Sequence, residues 1–154
     1  MISATKKFEF ACAHRLENHE GLCNNVHGHN YTLYVTVRKN GGVNEMCKPT
    51  DVGMILDFKK LKTIVNKIAI EPFDHAFVYN LQDTDSVAIA EMLKNQIGQK
   101  MLGLDFRTTA ENMAQYIMNE LNARLREMRL YCCKIELYET SGSYATAESG
   151  GDYY

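Results

Sequence analysis

The spacing of apolar residues changes period along the chain and predicts its elements. Phe8, Phe10, Cys12 and His14 fall at every second position, the signature of a half-buried strand. A turn-rich stretch follows from Glu17 to Asn25. His29 to Arg38 (H-N-Y-T-L-Y-V-T-V-R) is rich in β-branched and aromatic residues and predicts a second strand, ended by Asn40-Gly41-Gly42. These two strands are expected to pair antiparallel. From Asp57 the period becomes helical. Phe58, Leu61, Ile64, Val65 and Ile68 predict a helix over about 58–69, with Asp57 as its N-cap and Pro72 just past its end. Val87, Ile89, Ala90, Met92, Leu93 and Ile97 predict a second helix within Asp83 to Leu102, stopped at Gly103. Thr108-Thr109-Ala110-Glu111 has the capping-box form and opens a third, in which Met113, Ile117, Leu121 and Leu125 recur at a spacing of four. Tyr131 to Tyr138 reads as a strand. The small, polar tail from Ser141 is expected to fray in part, over 146–154. Strands, then helices, then a strand indicate an α+β fold with helices packed on an antiparallel sheet.

Composition narrows the class. A length of 154 residues fits one domain, 1–154, able to bury roughly two-thirds of its unfolded surface without a disulfide or metal. An apolar fraction of 45% excludes a disordered chain. No apolar run approaches the ~18 residues of a membrane-spanning helix, so no membrane partner is expected. With 17 Lys+Arg against 19 Asp+Glu, the net charge of −2 argues against nucleic acid as a partner. Met1 to Phe10 lacks the apolar segment of a secretory signal. The cysteine count is odd, and Cys132 and Cys133 are neighbours that a strand would point to opposite faces. A reducing, cytoplasmic location follows as the expectation. Cys12, Cys47, Cys132 and Cys133 read as structural thiols, and Met92, Met101, Met113 and Met118 as core fillers.

The histidines carry the first chemical signal. His27 and His29 form H-G-H at the start of the second strand, where residues i and i+2 share a face and Gly28 adds no bulk between them. His14 closes the first strand. Antiparallel pairing through the 15–28 connection brings it beside the other two. Three neutral imidazoles suit Zn²⁺ and leave a fourth position open, as in catalytic rather than structural zinc sites. The alternative is three unrelated polar histidines near a turn. His19 reads as a loop residue.

Six ordered motifs carry a resemblance over about residues 5–145: F-A-C-A-H-R-L from Phe10, C-N-N-V-H-G-H-N-Y from Cys23, G-M-I-L-D-F from Gly53, D-H-A-F from Asp74, T-A-E-N from Thr109 and Y-E-T from Tyr138. The chain resembles the 6-pyruvoyl tetrahydropterin synthase family. The spacing C-x3-H-G-H from Cys23 to His29 favours the 6-carboxy branch, which acts in queuosine (7-deazaguanine) biosynthesis. Animal pyruvoyl synthases resemble C-x5-H-G-H instead, and a folate-pathway branch replaces the cysteine with Glu. The resemblance implies the tunnelling fold (T-fold), in which subunits of two long strands, two helices and two more strands close into a barrel by oligomerisation. Two stacked trimers make a homohexamer with active sites at subunit interfaces. The segment 81–107 is longer than the matching loop of many relatives and predicts a helical insertion.

The resemblance also implies a reaction. 7,8-Dihydroneopterin triphosphate would be converted to 6-carboxy-5,6,7,8-tetrahydropterin, acetaldehyde and triphosphate. His14, His27 and His29 would hold one Zn²⁺ per subunit, with no further cofactor. Cys23 would be the general base, its thiol made acidic by nearby cationic groups. Asp74 and His75 would form a proton relay, although neighbours in an extended chain face opposite ways. Glu139 would anchor the pterin, whose amino group and ring N–H match the two oxygens of a carboxylate. Thr140 and Glu111 are lesser pocket candidates, and Arg15 is a candidate for the triphosphate. Three other readings stay open: the sister reaction giving a 6-pyruvoyl product, a zinc- and pterin-binding protein without catalysis, and a structural metal module.

Overall fold

The computed structural model describes residues 2–41 and 51–149. Strands β1 (Ala4–His14) and β2 (His27–Lys39) pair antiparallel from Ala4↔Val37 to His14↔His27. Alternation decides which face is covered: Phe8, Phe10, Cys12 and His14 on β1 and Tyr31, Leu33, Val35 and Val37 on β2 are buried. Strand β5 (Leu130–Thr140) adds to the other side of β2, and β6 (Ser143–Glu148) pairs with β5. Two short strands, β3 (Phe77–Asn80) and β4 (Met101–Leu104), extend the β1 side, giving the order β4-β3-β1-β2-β5-β6. Both run parallel to β1. The sheet is therefore mixed, antiparallel only through β1, β2, β5 and β6. The helical segment between β3 and β4 lets these consecutive strands run parallel, which a hairpin connection would not do.

Helix α1 (Phe58–Val65) starts as expected, with the Asp57 side chain accepting from Lys59 N at 2.6 Å. It does not stop before Pro72. A π turn (Asn66–Ile70) leads into α2 (Glu71–Phe73), so the helical run passes through Pro72. Helix α3 (Thr84–Ile97) is capped by Asp83 and closed by Gly98 in the left-handed region (φ 66°), five residues before the expected Gly103. Gly103 lies in β4, where a Cβ would come 2.6 Å from Leu81. Helix α4 (Ala110–Leu125) takes Thr109 rather than Thr108 as its cap, accepting from Asn112 N at 3.3 Å.

The core lies between the sheet and helices α1 and α4. Met113, Ile117, Leu121 and Leu125 are wholly buried, and Asn122 fastens α4 to β5 by accepting from Cys132 N (2.7 Å) and donating to its carbonyl (3.2 Å). Each of the four apolar side chains contributes roughly 1.5–3 kcal/mol by leaving water. Helix α3 is thinly covered. Met92 and Ile97 are exposed, which corrects the reading of Met92 as a core filler. Residues 146–148, expected to fray, finish β6, whose Ala145 and Ala147 are buried; 150–154 lie outside the described residues. Cys12, Cys132 and Cys133 are buried free thiols, and Cys47 lies outside the described residues. Among the described residues, no helix is long and apolar enough to cross a membrane.

Candidate functional site

The pairing of β1 with β2 builds the metal candidate directly. His14 lies opposite His27, and Cys12 opposite His29. The ring centroids of His14 are 4.6 Å from His27 and 5.4 Å from His29, and the latter two are 4.9 Å apart. One ligand atom from each falls within 4.8 Å of the others. Gly28 permits this closeness. A Cβ there would lie 3.0 Å from the Cys12 carbonyl oxygen, a contact that strand backbone gives way to poorly.

The surroundings fit a cation. His14 Nδ1 donates to the Thr108 carbonyl at 2.8 Å, and His27 Nδ1 donates to the Asn25 carbonyl at 2.8 Å. Each bond fixes the tautomer and leaves Nε2 as a lone pair, the usual outer support of a metal-ligating histidine. His29 Nε2 is buried without a hydrogen-bond partner, a cost that metal coordination would remove. Burial holds the His14 pKa below the ordinary imidazole value, opposed by its bond to Thr108, so the ring stays neutral as a ligand must.

Glu139, on β5, joins this cluster. Its Oε1 lies 3.3 Å from His29 Nε2 and 3.4 Å from His14 Nε2 and accepts from the Tyr31 hydroxyl at 3.2 Å. Tyr31 is fully buried, and burial raises its pKa, so its hydroxyl is a donor at any working pH. No motif in the sequence marks Tyr31 as part of the cluster; only its position two residues past His29, on the same strand face, points to it.

Cys23 sits in a 3₁₀ turn (Leu22–Asn24) that leads into β2, half-buried, with its carbonyl accepting from Leu16 N at 2.8 Å. Arg15 is turned away from solvent and bound to Asn24, Asp83 and Ser86. Its donors are engaged within the protein, which counts against the triphosphate reading.

Asp74 and His75 do touch. His75 takes φ 60°, which swings its ring back so that Nδ1 lies 2.9 Å from Asp74 Oδ2. The other carboxylate oxygen accepts from Ala11 N at 3.0 Å. That amide bond first, then His75, holds the Asp74 carboxyl below the usual carboxylate range against some desolvation. The backbone of the pair is held from the far end of the 81–107 segment. Gln99 Nε2 donates to the His75 carbonyl at 2.9 Å, and Lys100 Nζ to the Asp74 carbonyl at 2.8 Å. The hydrogen bonds of Asp74 and His75 thus run to Ala11, Gln99 and Lys100, not to the histidine cluster. His75 and His29 do line one hollow of about 470 Å³, together with Ala11, Gly28, Asn30 and Gln99. Its other ring nitrogen is free to point outward, since the side chain is 82% exposed. Thr140 is exposed at the end of β5, on a smaller hollow of about 340 Å³ with Asn30, Tyr34 and Tyr138. Glu111 is exposed in the first turn of α4.

Comparison with known proteins gives a consistent assignment. Residues 3–150 match the family described as 6-pyruvoyl tetrahydropterin synthase. A Haemophilus influenzae protein named 6-carboxy-5,6,7,8-tetrahydropterin synthase is 36% identical, covering 94% of this chain and 96% of its own length. A Dictyostelium discoideum 6-pyruvoyl tetrahydrobiopterin synthase is 28% identical, covering 93% of each. Among solved structures, the 6-pyruvoyl tetrahydropterin synthase of Caenorhabditis elegans superposes with a TM-score of 0.63 at 28% identity, over 97% of this chain and 96% of that one. An uncharacterized Wolinella succinogenes protein shares the fold, with a TM-score of 0.73 at 19% identity, over 96% of this chain and 98% of that one.

Proposed function

The chain belongs to the 6-pyruvoyl tetrahydropterin synthase family, and from that premise we propose that it is a 6-carboxy-type synthase. It converts 7,8-dihydroneopterin triphosphate and water to 6-carboxy-5,6,7,8-tetrahydropterin, acetaldehyde and triphosphate. The observation that carries this is the convergence of His14, His27, His29 and Glu139, with Cys23 in the turn that leads into β2. Near-full-length relatives named for the 6-carboxy reaction, and the C-x3-H-G-H spacing, favour that product over the pyruvoyl one.

His14, His27 and His29 are the residues that would hold Zn²⁺. When bound, the ion supplies Lewis acidity that lowers the pKa of the substrate's side-chain hydroxyls. Glu139 orients the pterin by accepting from its amino and ring N–H groups, with Tyr31 fixing one carboxylate oxygen. Cys23 takes a proton from the substrate side chain. His75, oriented through Nδ1 by Asp74, returns or removes protons at its outward nitrogen. The outward, exposed His75 supports a site completed between subunits, and we place the working enzyme in the cytoplasm as a homohexamer of two trimers whose sheets close into barrels.

The test is incubation of the purified, zinc-loaded protein with 7,8-dihydroneopterin triphosphate, with products identified by mass spectrometry. Acetaldehyde and 6-carboxytetrahydropterin in equal amounts are expected. A 6-pyruvoyl product without acetaldehyde moves the chain to the sister reaction. Pterin binding without any turnover leaves only a binding protein.

A further inference from the structure

Arg15 follows the first histidine of the cluster, and its side chain is only 12% exposed. Its Nε donates to the Asn24 carbonyl at 2.9 Å and Nη2 to Asn24 Oδ1 at 3.1 Å. Nη1 donates to Asp83 Oδ2 at 2.5 Å and to Ser86 Oγ at 3.3 Å. One planar guanidinium therefore spans two segments distant in sequence, the turn that carries Cys23 and the first turn of α3. Arginine suits this: its fork offers several donors in fixed directions, which a lysine ammonium cannot match. Asp83 serves twice, since the same Oδ2 caps α3 by accepting from Ser86 N at 3.1 Å.

The Cys23 turn needs such a tether. None of its residues is buried, and Leu22 is 85% exposed. Apolar packing therefore does little to set its position. Among the described residues, what holds it beyond the chain itself is the bond from Leu16 N to the Cys23 carbonyl and the Arg15 contacts to Asn24. Ion pairs at a protein surface contribute little, but both partners here are largely covered, at 12% and 13% exposure.

We propose that Arg15 and Asp83 are positioning residues that hold the Cys23 turn in its reactive place, so that the 81–107 segment serves the reaction through the N-cap of α3. This rests on the reading of Cys23 as the base. A displacement near an ångström at a reacting group can cost up to about a hundredfold in rate, so the tether is read in kcat rather than in binding.

Two variants of the full-length, zinc-loaded protein test it. Asp83→Asn keeps a capping oxygen for α3 and removes the charge. Arg15→Lys keeps the charge and loses the span. In both, kcat should fall about tenfold or more with KM changed less than about twofold and with bound zinc unchanged. Cys23, mapped by mass spectrometry, should be alkylated faster by iodoacetamide. Asp83→Glu should recover part of both losses. Wild-type kcat and wild-type alkylation in the two variants would overturn the proposal. Should the native protein turn over no pterin, the reading of Cys23 as base fails, while the alkylation rates still decide the tether. If Asp83→Asn or Arg15→Lys does not fold, Asn24→Ala carries the same test with a smaller effect of the same sign, and unchanged alkylation there overturns the proposal.

Discussion

Two of the three clustered histidines spend one ring nitrogen on a backbone carbonyl, and that decides what the other nitrogen can do. Removing one imidazole therefore removes a pre-set ligand. His27→Ala is expected to lose the metal on dialysis, read by elemental analysis. Cys23→Ala is expected to keep the metal and lose turnover by about 10²–10⁴-fold, the usual worth of a positioned acid or base. The pH dependence of the metal-free protein follows from His14. Burial puts its folded pKa below the unfolded value of about 6.5, so the unfolded chain binds the proton more readily in the window beneath that value. Its contribution to stability is full above about pH 6.5 and is lost as pH falls through the folded pKa. Urea midpoints should drop below that pH in metal-free wild type, and the drop should flatten in His14→Gln. Asp74 is depressed in the same sense, but its loss begins only below the unfolded carboxylate value of about 3.9, so the two windows separate.

At the scale of elements, the β1–β2 register is what turns three scattered letters into a cluster. Gly28 is the narrow point. Gly28→Ala puts a methyl 3.0 Å from the Cys12 carbonyl oxygen and should cost about 1–3 kcal/mol in denaturant unfolding while weakening metal retention. Long, regular elements were legible in the sequence: both long strands, α1 with its Asp57 cap, and α4 with its stripe of buried side chains. The antiparallel pairing that gathers His14, His27 and His29 was legible for the same reason, since alternation and a short connection leave one arrangement. The misses are non-local. Met101–Leu104 is too short to show a period and read as helix, although Gly98 had already stopped α3. The Asp74–His75 contact depends on a positive φ at His75, held by bonds from Ala11, Gln99 and Lys100 that no local pattern announces. Tyr31 against Glu139 requires the β2–β5 pairing, which brings together residues 108 apart in sequence.

For the whole molecule, the notable fact is that the proposed relay and the proposed base hang on different supports. Cys23 is tethered toward α3 through Arg15, while His75 faces outward with its side chain mostly in solvent. In the proposed hexamer, His75 of one subunit serves the cluster of another. Mixing and reassembling Cys23→Ala with His75→Ala chains should then recover activity that neither variant has alone, because some interfaces unite two intact halves. No recovery from a mixture shown to exchange subunits would place both residues in one chain's site. The proposed activity requires that the histidine cluster hold the metal that supports carbon–carbon cleavage. The most direct measurement is a zinc titration of metal-free protein with 7,8-dihydroneopterin triphosphate present, following acetaldehyde. Release that rises to a plateau at one zinc per chain is the predicted result. Acetaldehyde release that is indifferent to zinc, or absent at every zinc concentration, would contradict it.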